Sequence, residues 1–270
     1  MAVTEAAPPA LRVLPDREQA ALFRRSAMLQ AGWNFEGMQN LGFLYAIEPG
    51  LRRVHRDPER LLRARMRHLG FYNCQPYMTG FALGACLALE EDAALAEDEA
   101  AEAAAGARVE SLKRALGSAL AALGDPFFWG SLRPATAVLT LLAWTALWTL
   151  DFPSPVLWGT LVGLVAFNVP ALWARWEGPR LGYETGEALP AALKRQGWRE
   201  HTRRARAAGL AGTALLALAA IAVPPFGGTP SLWHAAALAA AFGLRVKGVP
   251  SLKTYLAGAL AAAAASAAGL

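Results

Sequence analysis

The apolar positions of this chain fall into two regimes. From residue 135 onward they form long runs, at about 135–150, 156–174, 207–223, 232–244 and 251–270. Such runs predict membrane segments. Several fall short of the roughly 20 residues a straight span needs, so tilt or burial as broken helices belongs to the expectation. Before residue 135 the apolar positions recur among polar ones. Residues 19–47 carry Leu22, Phe23, Met28, Leu29, Trp33, Met38, Leu41 and Leu44, with Gln30, Asn34, Glu36, Gln39 and Asn40 between them. That pattern predicts a helical stretch lying in an interface or inside a bundle, too interrupted to face lipid.

Punctuation divides the rest. Pro49-Gly50 predicts the end of that stretch. Asp57-Pro58-Glu59 predicts a new helix, with Asp at the cap, Pro at the first position and an acid in the first turn. Its apolar face is expected from Leu61, Leu62, Met66 and Leu69, and its basic face from Arg60, Arg63 and Arg67, as in an amphipathic helix against protein or headgroups. Pro76 predicts another break. The apolar run 77–89 is too short to span, which predicts a re-entrant or buried half-helix. The acidic, Ala-rich run from Glu90 to Glu102 reads as a solvated helix or linker, and 109–124 as a helix. The expected organisation is a loose arm over 1–18, an amphipathic and re-entrant helical region over 19–108, and a membrane domain over 109–270. The fold class is an all-α integral membrane protein with about five membrane segments.

Composition agrees. Of 270 residues, 55% are hydrophobic before 25 Gly are counted, 17% are charged, and the mean hydropathy is +0.27. Soluble proteins carry about 25% charged residues. The formal charge of +5 is concentrated in two blocks, Arg52–Arg67 and Arg175–Arg206, which flank apolar regions without the interleaved aromatics of a single-strand nucleic-acid binder. Read as cytoplasmic loops, they predict five crossings with the N-terminus inside and the C-terminus outside. Cys74 and Cys86 have neither metal-ligand nor disulfide-framework spacing and read as packed thiols. Residues 1–20 contain Glu5, Asp16 and Glu18 and no sustained apolar core, so an internal segment is expected to direct insertion.

Candidate chemistry is sparse. No nucleophile elbow, phosphate-binding loop, HExxH or CxxC occurs, and no cofactor or metal is expected. His55, His68, His201 and His234 read as surface or interface histidines. The segment from Gln30 to Phe43 is the densest: Trp33, Glu36 and Asn40 would share one face of a helix. Amides, a carboxylate and an aromatic ring are what a sugar requires, since hydroxyls need paired donors and acceptors and the apolar sugar face needs a ring. Packing of amides between helices is the alternative. The candidates are therefore Gln30, Trp33, Asn34, Glu36, Gln39 and Asn40, with Asn73 at the polar break before Pro76-Tyr77. Asp125 and Arg133 bracket Phe127-Phe128-Trp129 at the edge of the first long apolar run. Asp125 is placed to cap a helix opening at Pro126, and Arg133 to pair with it or to reach the interface.

Several blocks in order make the chain resemble the IID component of the mannose–fructose–sorbose phosphotransferase (PTS) sugar transport family. They are Phe23-Arg24-Arg25-Ser26, Gln30-Ala31-Gly32-Trp33-Asn34-Phe35-Glu36, Met38-Gln39-Asn40-Leu41-Gly42-Phe43, Arg67-His68-Leu69, Phe71-Tyr72-Asn73 with Pro76-Tyr77, Leu83-Gly84 to Glu90-Glu91, Gly124-Asp125, Phe128-Trp129-Gly130, Arg133-Pro134, Phe167-Asn168, and Gly182-Tyr183 with Gly186. The resemblance covers about residues 20–190. It implies a subunit of the bacterial inner membrane, N-terminus cytoplasmic, that pairs with a IIC membrane subunit in a higher-order hetero-oligomer. That complex imports a mannose-type hexose while IIA and IIB carry the phosphoryl group on their own histidines. The chain departs from the family where Gly70 replaces a usual Glu, where Cys74-Gln75 replace Thr-His, and where only about eight residues, 224–231, join the third and fourth apolar runs. These departures leave a second reading open, a regulatory or scaffold IID-like protein that senses phosphorylation without moving sugar.

Overall fold

The computed structural model describes residues 12–222 and isolated helical positions between 240 and 260. The expected segments 232–244 and 251–270, and the arm before residue 12, lie wholly or almost wholly outside the described residues. The described elements are helical: α1 (Asp16–Ser26), α2 (Asn40–Val54), α3 (Pro58–His68), α4 (Thr79–Ala94), α5 (Glu99–Gly124), a π segment (Asp125–Leu132), α6 (Arg133–Thr149), α7 (Pro155–Thr185), a 3₁₀ turn (Gly186–Ala188), α8 (Leu189–Arg195) and α9 (Trp198–Ala222). The chain divides into two compact units, Met1–Pro134 with Leu164–Arg206, and Ala135–Gly163 with Ala207–Leu270.

The first unit is built around α4, which is buried from Thr79 through Glu90. At 16 residues it is the short buried helix expected between Pro76 and the acidic run. Gly80 and Gly84 on α4 face Gly178 and Gly182 on α7, and the two backbones touch. A Cβ on Gly84 would lie 2.0 Å from the Pro179 carbonyl oxygen, and one on Gly182 would lie 2.1 Å from that of Phe81. Small residues four apart on both helices allow this approach.

Four expectations for this unit are corrected. The stretch 19–47 is not one helix: α1 ends at Ser26 and α2 begins at Asn40. Between them the chain turns, with Met38 at φ 58°. Asn34 and Met38 exchange backbone hydrogen bonds of 3.0 and 3.1 Å, and Gln39 N–H donates to Tyr72 O at 2.8 Å. Next, Pro49 does not end α2, which runs on to Val54. Pro49 has no N–H for the carbonyl of Tyr45 four residues back. Arg25 fills that vacancy, donating to Tyr45 O at 2.9 Å with its guanidinium 4.5 Å from the Tyr45 ring centroid.

The faces of α3 are corrected in part: Leu61 packs against the core and Arg63 is exposed, as expected. Asp57 caps it as expected, accepting from Glu59 N at 2.9 Å and Arg60 N at 2.8 Å. Yet Leu62 and Met66 are exposed while Ala64, His68 and the Arg67 side chain are buried. The cause is a carboxylate in the core, Glu90, which draws the polar residues inward. Finally, the acidic run is the solvated helix of the two expected forms only in part: α4 continues to Ala94, Asp98 caps α5 by accepting from Ala101 N at 2.7 Å, and 97–101 are exposed, but Glu90 and Glu102 are buried. Glu102 receives Arg63 through two bonds of 3.0 and 2.8 Å.

The second unit contains most of α6, the opening of α7 and the later part of α9. Asp151 and Ser154 at positive φ turn the chain between α6 and α7. Trp144 Nε1 donates to Val156 O at 2.9 Å across that turn. Gly159 lies under Trp144, where a Cβ would sit 2.0 Å from the ring, and Gly212 of α9 faces Val138. Leu139, Leu141, Trp148, Leu157, Trp158 and Leu161 are exposed. The run Pro155–Ala219 is long and apolar enough to cross a membrane, and only 17% of its most apolar window is buried. These apolar side chains are left exposed within the unit, as lipid-facing segments require.

Candidate substrate site at the π segment

Pro126 cannot donate to the carbonyl four residues back, and the helix continues by widening rather than ending. At the far end Arg133 N–H bonds Phe128 O, five residues back. The expected helix start at Asp125 is therefore absent. Asp125 sits in helical conformation and makes no capping hydrogen bond. π segments recur at functional sites because they turn a side chain out of the regular helical register.

Here the side chain turned out is a carboxylate. Asp125 is exposed and accepts from Gln75 Nε2 at 3.3 Å. Gln75 is fixed in turn: its Oε1 accepts from Tyr77 N at 3.0 Å, and Gly124 makes room for it, since a Cβ there would lie 2.3 Å from Gln75 Cγ. Partial burial raises the Asp125 carboxyl above its ordinary value, with the Gln75 amide opposing. Beside it stands an aromatic group. Tyr77 packs on Phe128 at 4.9 Å and on Phe167 at 5.7 Å, and Trp129 stacks on Phe167 at 6.4 Å and 18°. Trp129 remains 40% exposed, and Arg133 lies 5.8 Å over its ring. Arg175 is 5.3 Å from the Tyr77 centroid and donates to Ser26 Oγ at 3.2 Å, anchoring the group from behind. An accessible ring, a carboxylate and an amide are thus held on one rigid helical scaffold.

The other candidates divide. Asn34, Gln39 and Asn40 come together, but as internal fasteners. Gln39 clasps the Cys74 backbone through both amide atoms at 3.0 Å. Asn40 donates to Leu69 O at 2.6 Å and accepts from Asn34 Nδ2 at 3.0 Å, while Asn34 Oδ1 accepts from Gly37 N at 2.7 Å. The helical face predicted for Trp33, Glu36 and Asn40 does not exist, because this turn interrupts it. Gln30, Trp33, Glu36 and Asn73 are exposed, with Trp33 edge-on to Phe35 at 4.8 Å. Asp125 and Arg133 are in the π-segment group.

Sequence reasoning missed the buried polar centre. Glu90 accepts from His55 Nε2 at 2.8 Å, His68 Nε2 at 2.8 Å and Arg67 Nη1 at 3.0 Å, and both histidines are buried. Burial pushes the Glu90 carboxyl up, but these bonds and the Arg67 charge outweigh it and hold the group down at about 2. Burial lowers the His68 imidazolium below its ordinary value, against the opposing pull of Glu90. Close by, buried Lys113 donates to His68 O at 2.8 Å and Gly70 O at 2.9 Å, and lies 5.1 Å from the Phe43 ring centroid. Burial lowers its ammonium to about 8. The two GxxxG spacings, Gly80/Gly84 and Gly178/Gly182, were a sequence signal for the α4–α7 contact that was passed over.

Residues 13–224 match the PTS system mannose/fructose/sorbose family IID component. The chain belongs to that family. It is 39% identical over 166 residues to the PTS system mannose-specific EIID component of Escherichia coli (strain K12), covering 61% of this chain and 54% of that protein. It is 37% identical over 161 residues to the PTS system sorbose-specific EIID component of Lacticaseibacillus casei, covering 59% and 52%. The chain thus spans about half the length of the curated relatives it matches. Among solved structures it is similar to a chain of the mannose transporter ManYZ, determined by cryo-EM in complex with microcin E492. That similarity has a TM-score of 0.54 and 28% identity, over 95% of this chain and 98% of the other. The buried Glu90 centre and the π segment both lie inside the matched region.

Proposed function

We propose that this chain pairs with a IIC membrane subunit in the bacterial inner membrane, imports a mannose-type hexose with it, and presents the sugar for phosphorylation by IIB. In this reading the chain crosses five times with its N-terminus cytoplasmic. It works within a higher-order hetero-oligomer and leaves the phosphohistidines to IIA and IIB. The observation that carries the reading is the half-exposed Trp129 ring beside the exposed Asp125 carboxylate. A pyranose would lay its apolar face on Trp129 and give hydroxyl hydrogens to Asp125, while Arg133 donates to a hydroxyl oxygen and buried Gln75 holds Asp125 in place. Gln75 supports the transporting reading over a purely regulatory one, because it supplies Asp125 with its orienting amide.

The test is hexose uptake and phosphorylation in cells carrying this chain with its candidate IIC, IIB and IIA partners. Uptake that needs both membrane chains, with IIC co-purifying, is expected. Unchanged uptake after deletion of this chain overturns the proposal.

A further inference from the structure

Two cavities adjoin between α3 and α5. One, of about 580 Å³, is lined by Leu62, Arg63, Met66, Ala103, Gly106 and Ala107, with the Arg63 guanidinium held by Glu102. The other, of about 170 Å³, is lined by Gly70, Phe71, Lys113 and Arg114. Both also touch Met66, Arg67 and Glu110, so they form one groove with an apolar end and a basic end.

The basic end carries uncompensated positive charge. Glu110 is the one carboxylate among the described residues lining either cavity, and it lies 3.6 Å from Arg114, which is itself 65% exposed. Arg67 is committed to Glu90 and lies flat on Gly106, where a Cβ would come within 3.0 Å of its Nε and Nη2. Among the described residues no carboxylate lies within ion-pair distance of Lys113, though Glu110 one turn away acts on it at longer range. Its ammonium uses two of three protons on the carbonyls of His68 and Gly70. Gly70 adds no side chain, and a Cβ there would meet only the Arg67 carbonyl oxygen, at 3.4 Å. The basic end is therefore left open.

The apolar end is open to solvent: Leu62 and Met66 are 57% and 60% exposed, and Phe71 at the basic end is 55% exposed. Apolar exposure continuous with a cationic pocket, in a membrane protein, matches an amphiphile with an anionic head. We propose that this groove binds one anionic phospholipid, its phosphate at Lys113 and Arg114 and an acyl chain along Leu62, Met66 and Ala107. Neither end alone selects such a ligand. Inorganic anions lack the chain, and zwitterionic lipids bring a cation to a site already cationic.

The test uses the full chain in detergent, titrated with dioctanoyl phosphatidylglycerol, dioctanoyl phosphatidylcholine and sn-glycerol 3-phosphate by calorimetry or native mass spectrometry. The anionic lipid is expected to bind at least about tenfold more tightly than either of the others. Ala107→Trp fills the groove and Arg114→Glu reverses the charge at its head. Both positions are exposed, so helicity should be unchanged while affinity for the anionic lipid falls about tenfold or more in each. Met66→Glu is a third variant with the same expectation, should either of the first two fail to fold. Equal binding of the two lipids, glycerol phosphate binding as tightly as phosphatidylglycerol, or folded variants with unaltered affinity would each overturn the proposal.

Discussion

Glu90 and Arg67 meet at 3.0 Å with the carboxylate fully buried and the guanidinium nearly so. The pair is joined by His55 and His68 on the same carboxylate. Removing one charge leaves the other stranded in a site of low dielectric, at a cost of about 3–5 kcal/mol. Glu90→Gln should therefore lower the melting temperature in detergent sharply, and adding Arg67→Met, which removes the stranded charge while the Gln oxygen can still accept from the histidines, should recover part of the loss. If Glu90→Gln melts like the unaltered protein, the carboxylate is not holding the centre together.

The same group sets an acid limit. Its carboxyl is held at about 2 against an ordinary 4.5. A depressed carboxyl contributes stability above its unfolded pKa and loses it as the pH falls through the folded one. The loss, roughly 3 kcal/mol at most, should run from about pH 4.5 down to 2 in melts followed by tryptophan fluorescence, and Glu90→Gln should flatten that slope.

Lys113 acts in the alkaline direction. Its ammonium is lowered from 10.5 to about 8, so between those values the unfolded chain binds the proton more tightly than the folded one. Stability contributed by this group therefore rises with pH across that window. Lys113→Met should abolish the rise, and should lower stability at neutral pH by about 1–3 kcal/mol because the carbonyls of His68 and Gly70 lose their donor. A variant that keeps the alkaline rise assigns it to some other group.

At the π segment, Trp129→Ala should leave expression and complex assembly intact and weaken hexose affinity by roughly tenfold, about 1.4 kcal/mol. Asp125→Asn should lower uptake with assembly preserved. Equilibrium sugar binding on the purified complex separates these effects from a folding defect. Poor assembly in both variants would point to a scaffolding role instead.

The α4–α7 crossing predicts intolerance of even one methyl group. Gly84→Ala would place a carbon 2.0 Å from the Pro179 carbonyl oxygen, where neither partner is a flexible side chain. A cost of about 1–3 kcal/mol or more follows. Size-exclusion profiles should show loss of the monodisperse protein, whereas Gly70→Ala, which meets nothing closer than 3.4 Å, should behave normally.

Local signals carried the parts of the fold that local chemistry decides. Asp57-Pro58 announced α3, Pro76 announced the break before α4, and the shortness of 77–89 announced a helix that does not span. What stayed hidden depended on partners distant in the chain. Pro49 reads as a stop, yet Arg25 supplies the donor that lets α2 pass through it. Leu62 and Met66 read as part of one apolar face with Leu61, yet Glu90, more than twenty residues on, draws Arg67 and His68 inward and leaves Leu62 and Met66 outside. The 30–40 segment spaced its amides for a helix, but Asn34, Gly37 and Met38 close a turn in which those amides bond one another. At the candidate site Asp125 and Arg133 were legible as costly charges beside an apolar run. Gln75, Tyr77 and Phe167 were visible only as pieces of motif, because the π segment that gathers them begins with a proline that ordinarily opens a helix.

The Glu90 centre also constrains the order in which the first unit can assemble. Its acceptor comes from α4, two of its donors from α3, and the third from His55 just past the end of α2. An intermediate with α4 sequestered but α3 still undocked would hold a bare carboxylate away from water. Such a species is too costly to accumulate, so these three helices should close together or not at all, and the core should open and shut as a single cooperative block.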